Sequence, residues 1–158
     1  MSLVRRKKKT CLIICESKAD EHFLTFLKDR YRNHDWRFTI ENVGGSGDTV
    51  FCRAKKSKGY SRIYCIIDAC KDVDVQWPRG TTGIILKPGI EALPLQLLGK
   101  ACPSNMVLAK NKFKAVFGSE AAKISKFKWQ SKFTKLMLEN KREDLEHLDE
   151  IINIFEQV

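Results

Sequence analysis

No apolar run in this sequence reaches the ~18 residues that a membrane-spanning helix requires, although 43% of its 158 residues are hydrophobic. Behind a basic amino terminus only Cys11 to Cys15 form an apolar block, shorter than the core of a secretory signal. Histidine is scarce, and His22, His34 and His147 are scattered. The six cysteines include no CxxC pair, so a structural zinc site is not expected. Cys11, Cys15 and Cys65 sit inside apolar runs, where a free thiol behaves as a small buried hydrophobe. Reduced cysteines and no leader together predict a cytoplasmic protein with no membrane contact. Internal repeats and low-complexity tracts are also missing, and no Gly-Lys-Ser/Thr follows the one glycine-rich stretch, which excludes a Walker-type nucleotide loop.

What the chain has in excess is positive charge. Lysine and arginine number 29 against 19 acids, a formal net charge of +10. Such a balance favours polyanion partners through phosphate contacts and counterion release. The length suits one domain with a sizeable core. Residues 1–9, with Arg5 to Lys9 in one run, read as a basic disordered arm. Residues 10–158 read as a single α/β domain, with a core over 10–100 and a helical extension over 101–158.

Apolar runs and helical periodicity alternate through the core. Thr10 to Cys15, Trp36 to Val43, Arg62 to Ile67 and Gly83 to Leu86 read as strands. Between them, Lys18 to Tyr31 carries Phe23, Leu24, Phe26, Leu27 and Tyr31 at helical spacing behind a Ser17 cap. A short helix over Thr49 to Lys56 and another near Ile90-Glu91 complete the alternation, with Pro94 tolerable in a first turn. Strands alternating with helices predict a three-layer fold around a mainly parallel sheet of about four strands. A carboxy-terminal helical pair should follow, ending in an amphipathic helix over 142–158 that can pack on its own core or on a second copy.

Two of the strands end abruptly in an acid, β-like Cys11–Cys15 in Glu16 and Ile63–Ile67 in Asp68. Ligands and metals of open α/β sheets bind at the carboxyl ends of the strands. Glu16, Asp68, Asp72, Asp74 and Glu91 therefore form a candidate acidic set. Their hard oxygens suit Mg²⁺, with Mn²⁺ as a substitute, and such an ion can activate a nucleophile beside a phosphodiester. Taken singly, Asp72 and Asp74 also fit as helix caps or solvated loop residues. The Gly44-Gly45-Ser46-Gly47-Asp48 loop fits a tight βα turn. It also fits a phosphate cradle built from Gly45, Ser46 and Gly47.

Residues 110–135 alternate lysines with aromatics. Phe113 and Phe117, and likewise Trp129 and Phe133, are four apart, which puts each pair on one helix face as core. The competing reading has the aromatics stack bases. Under either, Lys126, Lys128 and Lys132 remain available for phosphates.

The order Ile13-Ile14-Cys15-Glu16, then a helix, then Val43 to Asp48, then Tyr64-Cys65-Ile66-Ile67-Asp68 resembles a divergent Toprim domain. More closely it is similar to RloB-like proteins, small Toprim-related proteins found with restriction loci, which implies a setting in phage defence. In that group a later Asn-Pro-x-Phe-Glu-like segment opens a leucine-rich helix, and Lys87-Pro88-Gly89-Ile90-Glu91 resembles it. The resemblance covers about Thr10 to Lys100 and implies Mg²⁺-dependent phosphodiester cleavage. It gives Glu16 the acid/base role and makes Asp68 a metal ligand. The chain departs from the pattern at Cys70, where the group has its second aspartate, and at Lys87, where it has asparagine. Either Asp72 or Asp74 replaces the missing ligand or the site has lost its metal, and Lys87 would neutralise a phosphate or take the place of the missing cation. The expected function is a nuclease acting on DNA or RNA. The alternative is a non-catalytic nucleic-acid-binding or protein-interaction module on an inherited fold, working as a homodimer or with a partner protein. A third possibility is a small-nucleotide binder that uses the glycine loop.

Overall fold

The structure, a computed structural model, describes residues 7–69 and 75–157. Four strands form one sheet: β1 (Lys9–Cys15), β2 (Trp36–Asn42), β3 (Arg62–Asp68) and β4 (Thr81–Leu86). Their order is β2-β1-β3-β4, and every neighbouring pair is parallel. The helices among the described residues are α1 (Lys18–Tyr31), α2 (Gly47–Lys56), α3 (Ala92–Leu97), α4 (Met106–Phe117), α5 (Lys126–Lys132), α6 (Lys135–Arg142) and α7 (Glu146–Glu156). A 3₁₀ turn at Ala121–Lys123 joins α4 to α5. This is the three-layer α/β arrangement expected, with its parallel sheet of four strands. The extension carries four helices rather than a pair. Among the described residues, no helix is long and apolar enough to cross a membrane.

Alternate residues of a strand face opposite sides of the sheet, and here the two sides differ in depth. Cys11, Ile13 and Cys15 of β1 join Ile66, Ile84 and Leu86 beneath α1, α5 and α7. Leu12, Ile14, Cys65 and Ile67 point the other way, under α2. The central strands β1 and β3 are apolar on both faces, as buried parallel strands should be. β2, at one edge, carries Glu41 on its outer side, where Arg53 of α2 donates two hydrogen bonds to it at 2.9 and 3.1 Å.

The Lys/aromatic stretch is core. Phe113, Trp129 and Phe133 are fully buried, and Trp129 stacks on Phe133 with ring centroids 5.7 Å apart. Phe127 is the exception, 69% exposed. Lys9, placed by the sequence in the basic arm, instead opens β1, because its register partner Trp36 extends the ladder to it. The amphipathic helix expected over 142–158 is α7, which begins only at Glu146, and a separate helix, α6, precedes it over Lys135–Arg142. The apolar stripe Leu148, Ile151, Ile152 and Phe155 belongs to α7 alone, and Leu138 anchors α6 separately.

Trp77 closes the shallower side by lying flat against Gly83 of β4. A Cβ at position 83 would stand 2.2 Å from three atoms of the indole ring. Gly83→Ala must therefore push Trp77 off the sheet and away from Phe51, its edge-on neighbour at 5.4 Å. The expected cost is about 1–3 kcal/mol, read as a lower denaturant midpoint with an unchanged slope. A variant as stable as the parent would mean that the indole does not rest there.

Candidate functional site

All four strands run the same way, so their carboxyl ends share one rim. Glu16 follows β1 and Asp68 is the last residue of β3. The two are tied directly: the Asp68 backbone N–H donates to Glu16 Oε2 at 2.6 Å. Ser17 then turns the chain into α1 through a capping box with Asp20. The Ser17 backbone N–H and hydroxyl donate to Asp20 Oδ2 at 2.9 and 2.8 Å. The box fixes one carboxylate oxygen and leaves the other, Oδ1, buried without a partner among the described residues. Asp68 Oδ1 is in the same condition.

Glu91 reaches this rim from the segment that opens α3. It is 6% exposed. Gly89 lets it in: a Cβ there would meet Glu91 Oε2 at 3.0 Å and the Asp68 carboxyl carbon at 3.2 Å. The two carboxyl groups are thus neighbours across a glycine, and any side chain at 89 would wedge between them.

Four carboxyl groups close together in a half-dry place oppose one another's ionisation. Burial pushes the Asp68 carboxyl up to about 9, reinforced by Asp20, Glu16 and Glu91 and relieved by Lys110. Burial also raises Asp20, to about 6. The two Ser17 hydrogen bonds work against that rise, and Glu16 and Glu91 add to it. Glu16 is raised by burial and partly lowered by the Asp68 N–H. A cavity of about 430 Å³ opens beside the cluster, lined by Asp68, Glu91, Lys110, Lys114 and Glu120 among others.

The acids picked out in sequence divide accordingly. Glu16, Asp68 and Glu91 are brought together. Asp72, Asp74 and Cys70 lie outside the described residues. The glycine loop belongs to the same rim, since the Gly45 N–H donates to the Glu16 carbonyl at 3.2 Å. Gly45 and Ser46 are exposed and Gly47 packs against Ile67. Asp48 does not cap α2; the helix starts at Gly47 and has Asp48 in its first turn. Lys87 is exposed and follows β4. Lys126, Lys128 and Lys132 sit on α5 and do not line the acidic cavity. Lys126 pairs with Asp29 at 3.0 Å, and Lys132 lies over the Phe117 ring at 5.5 Å.

Sequence reasoning passed over Asp20, Lys110 and Lys114 as site residues. Asp20 completes the helix cap, and its spacing of four from Glu16 is the signal in the sequence that points to the site. The two lysines were hidden in a run of similar ones.

Among the described residues, no three His, Cys, Asp or Glu side chains stand together in the arrangement that holds a metal ion. The donor chemistry nonetheless fits a hard cation. Every group is a carboxylate, and the two orphaned oxygens, Asp20 Oδ1 and Asp68 Oδ1, have no hydrogen to accept among the described residues. Magnesium keeps several of its own waters and needs few protein ligands.

These features define a class: a three-layer α/β protein with a buried carboxylate cluster and a lysine-flanked cavity at the carboxyl rim of a parallel sheet. Compared with protein-family models, curated proteins and solved structures, the chain finds no match. The likeness to Toprim and RloB-like proteins accordingly stands on the order of its own short motifs.

Proposed function

We propose that this protein is a metal-dependent phosphodiesterase acting on nucleic acid. One observation carries the reading: Glu16, Asp20, Asp68 and Glu91 converge beside Lys110 at the rim where α/β sheets bind ligands. A fold gains nothing in stability by burying mutually repelling acids, and perturbed acids in a cleft are a mark of chemistry.

Asp68, with Glu16 or Glu91, would hold Mg²⁺ or Mn²⁺. When bound, the ion supplies charge stabilisation at the scissile phosphate. Glu16 is suited to move the proton, because burial lifts it toward neutrality. Lys110 and Lys114 line the cavity and offer ammonium groups to phosphate oxygens. The net charge of +10 draws the polyanion in. The glycine loop beside Glu16 exposes Gly45 and Ser46 for backbone contact with a phosphate.

The test is incubation with labelled single- and double-stranded DNA and RNA, in Mn²⁺, Mg²⁺ or EDTA. Cleavage should require the ion. Glu16→Gln should reduce it about 10²- to 10⁴-fold, and Asp68→Asn should reduce it to background. Cleavage that survives EDTA or both substitutions would sink the reading. Its absence from every substrate would leave the acids as relics of an inherited fold.

A further inference from the structure

The opposite rim of the sheet carries a different arrangement. Lys9, Trp36 and Arg62 are the first residues of β1, β2 and β3. Lys9 pairs in register with Trp36, and Cys11 with Arg62. Because alternate strand residues share a face, all three project from the same side. The Lys9 ammonium lies 5.4 Å from the centre of the Trp36 ring and the Arg62 guanidinium 5.3 Å from it. Phe38 stacks behind the indole, 6.5 Å away and tilted by 24°.

Two grooves of about 290 and 260 Å³ flank this ring, and Trp36 and Lys8 line both. Lys7 and Lys9 border one, and Lys28, Arg32 and Arg37 border the other. Among the described residues Asp35 is the single acid lining either. None of these six cations makes an ion pair among the described residues. Some cations elsewhere are neutralised by acids, Arg53 by Glu41, Lys126 by Asp29 and Arg142 by Asp149 and Glu156; what sets this rim apart is six cations gathered around one aromatic ring. Unpaired charge keeps its full attraction for a polyanion, whereas paired charge has already spent it.

We propose that this amino-end rim is a binding platform for single-stranded nucleic acid, with Trp36 as the stacking surface and the flanking lysines and arginines as phosphate contacts. A base taking the place of the Lys9 ammonium on the ring would free that ammonium for the adjoining phosphate. Aromatic surface set in a basic groove is how sequence-indifferent single-strand binding is built. A duplex would use the charges but not the half-buried ring. An anionic membrane would need inserting apolar groups, and among the described residues Trp36 and Phe38, both half-buried, are the only ones lining these grooves. The platform lies a full strand length, about 20 Å, from the acids. The proposal rests on the polyanion part of the proposed function and not on its chemistry.

The experiment is fluorescence anisotropy of labelled oligo-dT and oligo-rU with the full chain in EDTA, across a salt series. Because EDTA removes any metal-dependent cleavage, the binding result stands whether or not the protein is a nuclease. Lys8→Gln with Arg37→Gln, both exposed, should weaken binding about tenfold or more. The double variant should also flatten the logarithmic salt slope by about 1.4, the share of two phosphate contacts on a single strand. Trp36→Leu should weaken binding about fivefold or more without changing that slope. Because Trp36 touches Phe38, the paired surface variant carries the test if Trp36→Leu disturbs folding. Lys128→Gln with Lys132→Gln on α5 should bind as the parent does. Affinity that follows the α5 pair instead overturns the proposal. So does binding of phosphatidylserine vesicles with none of either oligonucleotide, or a consistent preference for duplex.

Discussion

Asp68→Asn is expected to make the metal-free protein more stable at pH 7 while destroying its activity. In the unfolded chain Asp68 titrates as an ordinary carboxyl; in the folded chain it is raised to about 9 and Asp20 to about 6. Folding therefore takes up protons between those limits. The stability linked to these groups is full below about pH 4, drains as the pH climbs, and is exhausted near pH 9, where Asp68 ionises even when folded. An amide at 68 removes that charge and can donate to a neighbouring carboxylate. The gain at pH 7 should be about 2 kcal/mol after allowing for the sharing of protons within the cluster, or about 4–8 °C in Tm. At pH 5 the difference should shrink. Mn²⁺ should raise the Tm of the parent, because an ion relieves the same repulsion, and should not raise that of the variant. Thermal melts at pH 5, 7 and 9, with and without Mn²⁺, measure all of this. A variant less stable than its parent at pH 7 would show that the carboxylate holds the fold rather than burdens it.

The second large effect lies under the helices. Trp129 is 1% exposed and meets four phenylalanines: Phe23 at 5.3 Å, Phe117 at 5.4 Å, Phe133 at 5.7 Å and Phe113 at 6.0 Å. These rings come from α1, α4 and α5 or its end, so the indole is where three helices meet. Trp129→Ala should cost about 3–5 kcal/mol, a large part of the stability of an ordinary domain. Trp129→Phe should cost far less. The indole Nε1 is buried with no acceptor among the described residues, so removing it relieves a penalty while most of the packing stays. Urea unfolding separates the two. Equal losses from both would mean that the polar atom has a partner after all. Because α1 carries Asp20 and α4 carries Lys110, loosening this nest should also dull metal-dependent stabilisation at the acidic rim.

The strands and the first helix were legible because local signals agreed there. An apolar run, then an acid, then a serine cap and a helical stripe left one reading of residues 10–31, and α1 runs over Lys18–Tyr31 as expected. Glu16 and Asp68 were legible for the same reason. Glu91 joined the candidate acids without a strand end to place it, since what brings it to Asp68 is the missing side chain of Gly89, a matter of space and not of periodicity. Asp20 gives no sign of the site on its own, because one carboxylate oxygen serves the helix cap and only packing shows the other buried beside Asp68. Charge alone could not rank the lysines. The stretch 110–135 is uniform in composition, and only packing separates Lys110, turned to the acids, from Lys126, paired with Asp29. The basic rim around Trp36 was unreadable for a related reason: its cations come from four separate segments that the parallel register assembles.

The deeper side of the sheet is completed by chain from far away. The Asn33 N–H donates to the Phe155 carbonyl at 2.8 Å, and its side-chain amide to the Glu156 carbonyl across 123 positions. Arg30 reaches the Gln130 carbonyl across 100. Phe38 meets Phe155 edge-on at 5.3 Å. Until α5 and α7 arrive, the deep face over Cys11, Ile13 and Phe26 is incompletely covered. The entropy of closing those long loops must be met before the contacts return anything, so this side of the sheet is expected to be completed late in folding. During that interval an apolar parallel strand stands open, a surface on which copies of the chain are expected to associate.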